Sequence, residues 1–138
     1  MENISLELVF SKTQEKELEE MKTNDQEVTK LFETVVPKVQ GFNMTWLIKI
    51  DDTTIGYTDL IAEQGSLMYY MDLAIKPGYR TKEIIIEILN IIKKQALSSN
   101  IYLETSIDRN VLNDVIKELD ISKRLEKNKR KVYKLNNK

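Results

Sequence analysis

The residues best suited to chemistry lie in one run, Leu73-Ala-Ile-Lys-Pro-Gly-Tyr-Arg-Thr-Lys-Glu-Ile-Ile-Ile-Glu-Ile-Leu89. A short apolar strand runs into Pro77, a basic turn follows at Arg80 and Lys82, and a strongly apolar helix begins. A strand, a basic turn and a helix start together present backbone N–H groups to a phosphate. After Arg80 the turn carries no glycine, the residue that lets a backbone approach a pyrophosphate closely. Glu83 instead places an acid in the first helical turn, where it also serves the helix dipole, and Thr81 is a natural N-cap.

The residue inventory narrows what else can react. The chain has no histidine and no cysteine. That removes the commonest general base, most zinc sites, disulfides and any thiol nucleophile. Proton transfer is left to carboxylates and tyrosines. No metal-ligand spacing, P-loop or Ser-His-Asp set can be drawn, so no metal is expected. The net charge is −1, which gives no basic excess for a nucleic acid. Lys123-Arg124, Lys127 and Lys129-Arg130-Lys131 form a basic run, but no aromatics interleave with it, so a solvated connection is expected there. The start Met1-Glu2-Asn3 is not that of a signal peptide. The apolar stretch from Ile84 to Leu97 is too short and too polar to span a bilayer. A cytoplasmic location without membrane attachment is the expectation.

These residues need elements to hold them. At 138 residues, 41% of them apolar, one compact domain over 1–138 is expected. Ile4 to Phe10 alternates as a half-buried strand. Ser11 or Thr13 can cap a charged helix over Gln14 to Lys22; Lys16 denies Thr13 a full capping box. Val28, Leu31, Phe32 and Val35 fall at helical spacing, so a second helix is predicted from Asn24 or Asp25 to about Pro37. Then Thr45 to Ile50, Thr54 to Ala62 and Leu67 to Ile75 read as an antiparallel meander. Lys82 to Ser98 is a helix with an apolar face wide enough to be central. Ile101 to Ile107 is a strand reached by a crossover, and Asn110 to Leu119 a further amphipathic helix. Lys123 to Lys131 reads as a basic connector and Lys131 to Leu135 as a last short strand. The order is β-α-α-β-β-β-α-β-α-β-β, with the next-to-last strand the weakest. It implies an α+β (α/β) fold with a mixed, mostly antiparallel sheet of six to seven strands and helices on both faces.

In this order the residues resemble the GNAT superfamily of acyl-CoA-dependent N-acyltransferases over essentially the whole chain. Trp46-Leu-Ile-Lys-Ile-Asp-Asp-Thr-Thr-Ile-Gly-Tyr57 looks like that family's second and third strands. Leu73 to Leu89 looks like its acyl-CoA motif, Ile101-Tyr-Leu-Glu-Thr105 like its fifth strand, and Leu119-Asp-Ile121 sits where the family often has Leu-Gly-Phe. The resemblance implies that the strands equivalent to Leu67–Ile75 and Ile101–Ile107 splay apart around the pantetheine arm. It implies acetyl-CoA as co-substrate, held by the backbone of Leu73, Ala74 and Ile75, by Arg80, Thr81, Lys82, Glu83, Ile84 and Ile85 around the pyrophosphate, and by Asn110. The family turn is Arg/Gln-x-x-Gly-x-Gly/Ala; here Glu83 and Ile85 hold the two small-residue positions. The tyrosine that often protonates the leaving thiolate is replaced by Ile116 or Lys117, depending on the match.

Acyl transfer to an amine needs a proton acceptor. Glu104 and Asp72, on the two strands of the expected splay, are the best-placed carboxylates, and each also reads as an ordinary strand residue or a partner for a lysine. Tyr57, Tyr69, Tyr70 and Tyr102 could line an acceptor pocket or pack across strands; adjacent Tyr69 and Tyr70 must face opposite sides of the sheet. The expected acceptor is a small-molecule or peptide amine, with a homodimer as a candidate assembly. The alternative is a GNAT-like domain without catalysis that serves as a binding or dimerisation module.

Overall fold

A computed structural model of the chain describes residues 3–23, 28, 30–33, 41–63, 65, 68–95, 100–105, 110–118, 121–127 and 130–135. They form β1 (Ile4–Leu8), α1 (Lys12–Thr23), β2 (Lys30–Phe32), β3 (Gly41–Ile50), β4 (Thr53–Glu63), β5 (Met68–Ile75), a 3-10 turn at Pro77–Tyr79, α2 (Lys82–Gln95), β6 (Asn100–Thr105), α3 (Asn110–Glu118), β7 (Ile121–Lys127) and β8 (Arg130–Leu135). The strands make one sheet in the order β1-β3-β4-β5-β6-β8-β7, with β2 added on β5. All pairings are antiparallel except β5 with β6. The mixed α+β class, the meander and the parallel crossover through α2 are as the sequence implies.

The sheet separates two layers. On one face α2 and α3 bury Ile85, Ile88, Leu89, Ile92, Leu112 and Val115 against Ile48, Leu60, Met71, Leu73, Ile75 and Leu103. Fully burying one such side chain contributes about 1.5–3 kcal/mol, so this face carries most of the hydrophobic stabilisation. On the other face α1 packs Leu18 and Met21 against Leu47, Tyr57 and Ala74. Gly56 lets β4 and β5 close up: a Cβ there would stand 2.0 Å from the Ala74 carbonyl oxygen.

The helix starts are locally encoded. Ser11 caps α1, its Oγ accepting from Gln14 N at 3.2 Å while Gln14 Oε1 accepts from Ser11 N at 3.0 Å. This is a reciprocal capping box. The box is Ser11-x-x-Gln14, so of the two cap positions the sequence offers, Ser11 is the one used. Thr81 caps α2, with Oγ1 accepting from Ile84 N at 3.3 Å.

Two elements differ from expectation. Lys30–Phe32 is not helix but a strand antiparallel to β5, with Lys30 opposite Ala74 and Phe32 opposite Leu73. A pattern of apolar residues at helical spacing is overridden here because β5 offers an edge, and Leu31 and Phe32 are buried at 1% and 0% exposure beside it. The expected ends of that helix, Asn24 or Asp25 and Pro37, lie outside the described residues. The run Lys123–Lys127 is likewise strand, not connector: β7 pairs with β8 from Ile121↔Leu135 to Lys127↔Arg130. Charge alone does not separate a loop from a strand at the sheet's end, where β7 lies. The family-like Leu119-Asp120 lies outside the described residues, as do Ile107 and Ser98, the expected ends of β6 and α2.

Candidate active site

The site is made where β5 and β6 part. Their parallel pairing runs from Met68↔Asn100 to Met71↔Leu103 and stops, although β5 continues to Ile75 and β6 to Thr105. Asp72 is the first residue of β5 beyond the fork. Glu104 is the matching residue of β6, whose backbone registers with Val132 of β8; its side chain lies outside the described residues, as does that of Asn110 at the start of α3.

Asp72 does not stand alone. It lies directly opposite Asp59 across β4 and β5, and the two residues are 8% and 6% exposed. Two carboxylates at ~4 Å in an effective dielectric of 20 repel by about 4 kcal/mol, so buried neighbours of this kind call for cations. Two lysines supply them. Lys22 of α1 places Nζ 3.5 Å from Asp59 Oδ2 and 5.3 Å from the centroid of the Tyr57 ring. Lys30 of β2 places Nζ 3.3 Å from Asp72 Oδ2 and 3.4 Å from Glu33 Oε1. Thr45 Oγ1 donates to Asp59 Oδ1, and Thr58 Oγ1 donates to the Asp72 carbonyl at 2.9 Å. Burial pulls the Lys30 ammonium down, but the Asp72 carboxylate, aided by Tyr57 and Glu33, outweighs it and holds Lys30 above its ordinary value. The ammonium form is therefore the resident form.

Beside the acids, Tyr70 stacks on Tyr102 across β5 and β6, ring centroids 5.6 Å apart and 29° between planes. Tyr69 packs into the core beneath α2. The two adjacent tyrosines thus divide between the faces.

The turn after β5 is tied back to the strand: Arg80 Nε donates to the Ile75 carbonyl at 2.7 Å. Thr81 O accepts from Ile85 N at 3.0 Å. With Ile84 N capped, the helical ladder makes no use of the Lys82 and Glu83 amides. Ile84 and Ile85 are core residues at 9% and 0% exposure, so only their backbones face the turn. Lys82 is drawn toward α3, its Nζ 2.7 Å from Glu118 Oε1; that hydrogen bond raises it above the ordinary lysine value. Glu83 lies on the opposite flank of α2, lining a groove of about 600 Å³ with Ile4, Glu87 and Asn90. The expected turn residues therefore diverge: Arg80 is tied to the end of β5, Thr81 caps α2, and the Lys82 and Glu83 side chains leave the turn on either side.

Asp59, Lys22 and Lys30 were not anticipated. Asp59 had a signal, an acid at a core-facing position of a strand that otherwise alternates apolar residues. Lys30 had none, because the helical spacing of its segment hides the strand that pairs with β5.

No protein-family model matches the chain, and no curated protein matches it in sequence. Solved structures do match. A domain from Methanocaldococcus jannaschii is similar at 11% identity with a TM-score of 0.69, covering 99% of each chain. The Campylobacter jejuni N-acetyltransferase PseH, solved in complex with acetyl coenzyme A, is similar at 12% identity with a TM-score of 0.61, covering 99% of this chain and 100% of that one. The Escherichia coli ribosomal-protein-S18-alanine N-acetyltransferase is similar at 11% identity with a TM-score of 0.57, over 99% and 94%. This chain has the GNAT fold. The parting of β5 and β6 after Met71↔Leu103 is the splay that the sequence resemblance implies. Among the described residues, no helix is long and apolar enough to cross a membrane, and no three His, Cys, Asp or Glu side chains converge as a metal site.

Proposed function

We propose that the chain is an acyl-CoA-dependent N-acyltransferase that uses acetyl-CoA to acylate a primary amine on a small molecule or peptide. The observation that carries this reading is the place of Asp72, a buried carboxylate one residue beyond the point where β5 and β6 separate. The donor supplies an activated acyl carbonyl and a thiolate leaving group. The turn suits its anionic end, with Arg80 beside the Lys82 and Glu83 amides at the start of α2. The gap-facing edge of β5, Leu73 to Ile75, is paired with β2 in the structure; released from it, that edge would offer backbone groups to an extended amide chain and an N–H to polarise the carbonyl. Asp72 holds the acceptor ammonium, then takes its proton directly or through one water. The amine nitrogen bonds to the acyl carbon as the carbon–sulfur bond breaks. The thiolate takes up a proton, with Lys117 or water as the available donor. Tyr70 and Tyr102 wall the acceptor side.

Release of free CoA thiol tests this, followed with acetyl-CoA against a panel of small amines, peptide N-termini and lysine peptides. Amine-dependent release is expected, reduced about 10²–10⁴-fold in Asp72→Asn. Release that no amine stimulates would remove the reading. A non-catalytic GNAT-like binding module is then preferred, favoured by Glu83 and Ile85 in the turn and by the strand that pairs with the gap edge of β5.

A further inference from the structure

A β-strand has two edges and each can take one partner. Along Leu73 to Ile75 one edge of β5 belongs to β4, through Thr58↔Leu73, Tyr57↔Ala74 and Gly56↔Ile75. The other is left by β6 after Met71. An edge left in this way carries unpaired N–H and C=O groups that an extended chain can fill. In this chain it is filled from within: β2 pairs with Ala74 and Leu73, and Arg80 holds the Ile75 carbonyl. The same three-residue strand sends Lys30 to Asp72, where its primary ammonium stands as an acceptor ammonium would.

We infer that β2 closes the site from both sides, its backbone on the edge that acyl-CoA needs and its lysine on the carboxylate that the acceptor needs, so that substrate binding requires β2 to leave β5. This rests on the acyltransferase reading above. Among the described residues the contact spans three residues, its two residue pairs are out of step by a register shift, and the Lys30 side chain keeps 33% of its exposure. The burial of Leu31 and Phe32 favours the closed state. Closure lowers apparent affinity for acyl-CoA by the fraction of molecules that are open. Acceptor and donor relieve the same contact, so each should promote binding of the other.

The chain has no cysteine, so a single engineered pair can lock β2 in place. Lys30→Cys with Ala74→Cys joins two directly opposite strand positions, at a spacing a disulfide spans. Acetyl-CoA is titrated calorimetrically into the oxidised and reduced forms, with circular dichroism confirming the same fold. The oxidised form is expected to bind at least about 100-fold more weakly than the reduced form. Equal affinity in the two forms would overturn the closure and leave the acyltransferase reading standing. No binding to either form, to wild type or to Lys30→Ala would overturn both. Lys30→Ala without the disulfide gives an independent measure: release of the Asp72 anchor should tighten acetyl-CoA binding about tenfold, and unchanged affinity would contradict the closure.

Discussion

The two faces of the sheet are built to different rules. Beneath α2 and α3 the buried side chains are almost wholly apolar, from Ile48 and Leu60 to Ile88 and Val115. Beneath α1 the apolar set is small, and Asp59, Asp72 and Thr45 share the space with lysines reaching in from α1 and β2. Charges buried in pairs add little net stability, because desolvation offsets their attraction. A fold that retains such a cluster at the fork of two strands holds it at little benefit to stability. The apolar face supplies the stability that the polar face does not, and chemistry can then occupy the polar face.

Truncation should separate the faces. Ile88→Ala, at a position with 0% exposure, is expected to lower unfolding stability by about 2–5 kcal/mol in urea, with acetyl-CoA binding retained below the transition. A loss under 1 kcal/mol would mean that α2 is not the main source of stability. Next comes the seam between the faces. Gly56→Ala puts a methyl group where the Ala74 carbonyl oxygen is 2.0 Å away. It should remove about 1–3 kcal/mol and disturb acyl-CoA binding, because the strand that must shift is β5. A variant as stable as wild type would show that β4 and β5 are not closely apposed there.

On the polar face the effects should be smaller for stability. Asp59→Ala leaves Thr45 and Lys22 without their partner and should lower stability by about 1–3 kcal/mol. An effect as large as that of Ile88→Ala would erase the contrast between the faces.

Much of this was legible in the sequence, and the parts that were not share a cause. The strand-to-turn-to-helix run of Leu73–Leu89 carries period, breaker and cap in its own residues, and Thr81 caps α2 as read. Helical spacing of Leu31 and Phe32 says only that both are buried; what buries them is an edge of β5 more than forty residues away. Pairings at such distance leave no local mark. Asp72 could be named as a strand carboxylate near the fork, whereas Asp59 opposite it and the Lys30 amine facing it come from register, which no single segment encodes. The basic run at Lys123–Lys127 has the same lesson: its composition carries no mark of the pairing with β8 that makes it a strand.

The smallest expected effects are in pH. Lys30 is held above its ordinary value on balance, so the stability it adds is present below about pH 10 and is lost as pH rises through its folded value. Unfolding curves for Lys30→Met should lack that alkaline decline. At the outer end of the sheet Glu7 is held low by the Lys49 ammonium and the Gln14 amide. Its contribution is present above the ordinary glutamate value of 4.5 and fades as pH falls through the folded value. Glu7→Gln should flatten that acid limb, and an unchanged limb would show that the Glu7–Lys49 contact has no weight in solution.

The central claim is that the fork between β5 and β6 receives acyl-CoA, and calorimetric titration of the wild-type chain with acetyl-CoA tests it most directly. The account predicts saturable binding at one site, weakened at least about tenfold in Arg80→Ala, where a charge-assisted contact beside the helix start is lost. No heat at millimolar acetyl-CoA, in wild type and in Lys30→Ala alike, would contradict it.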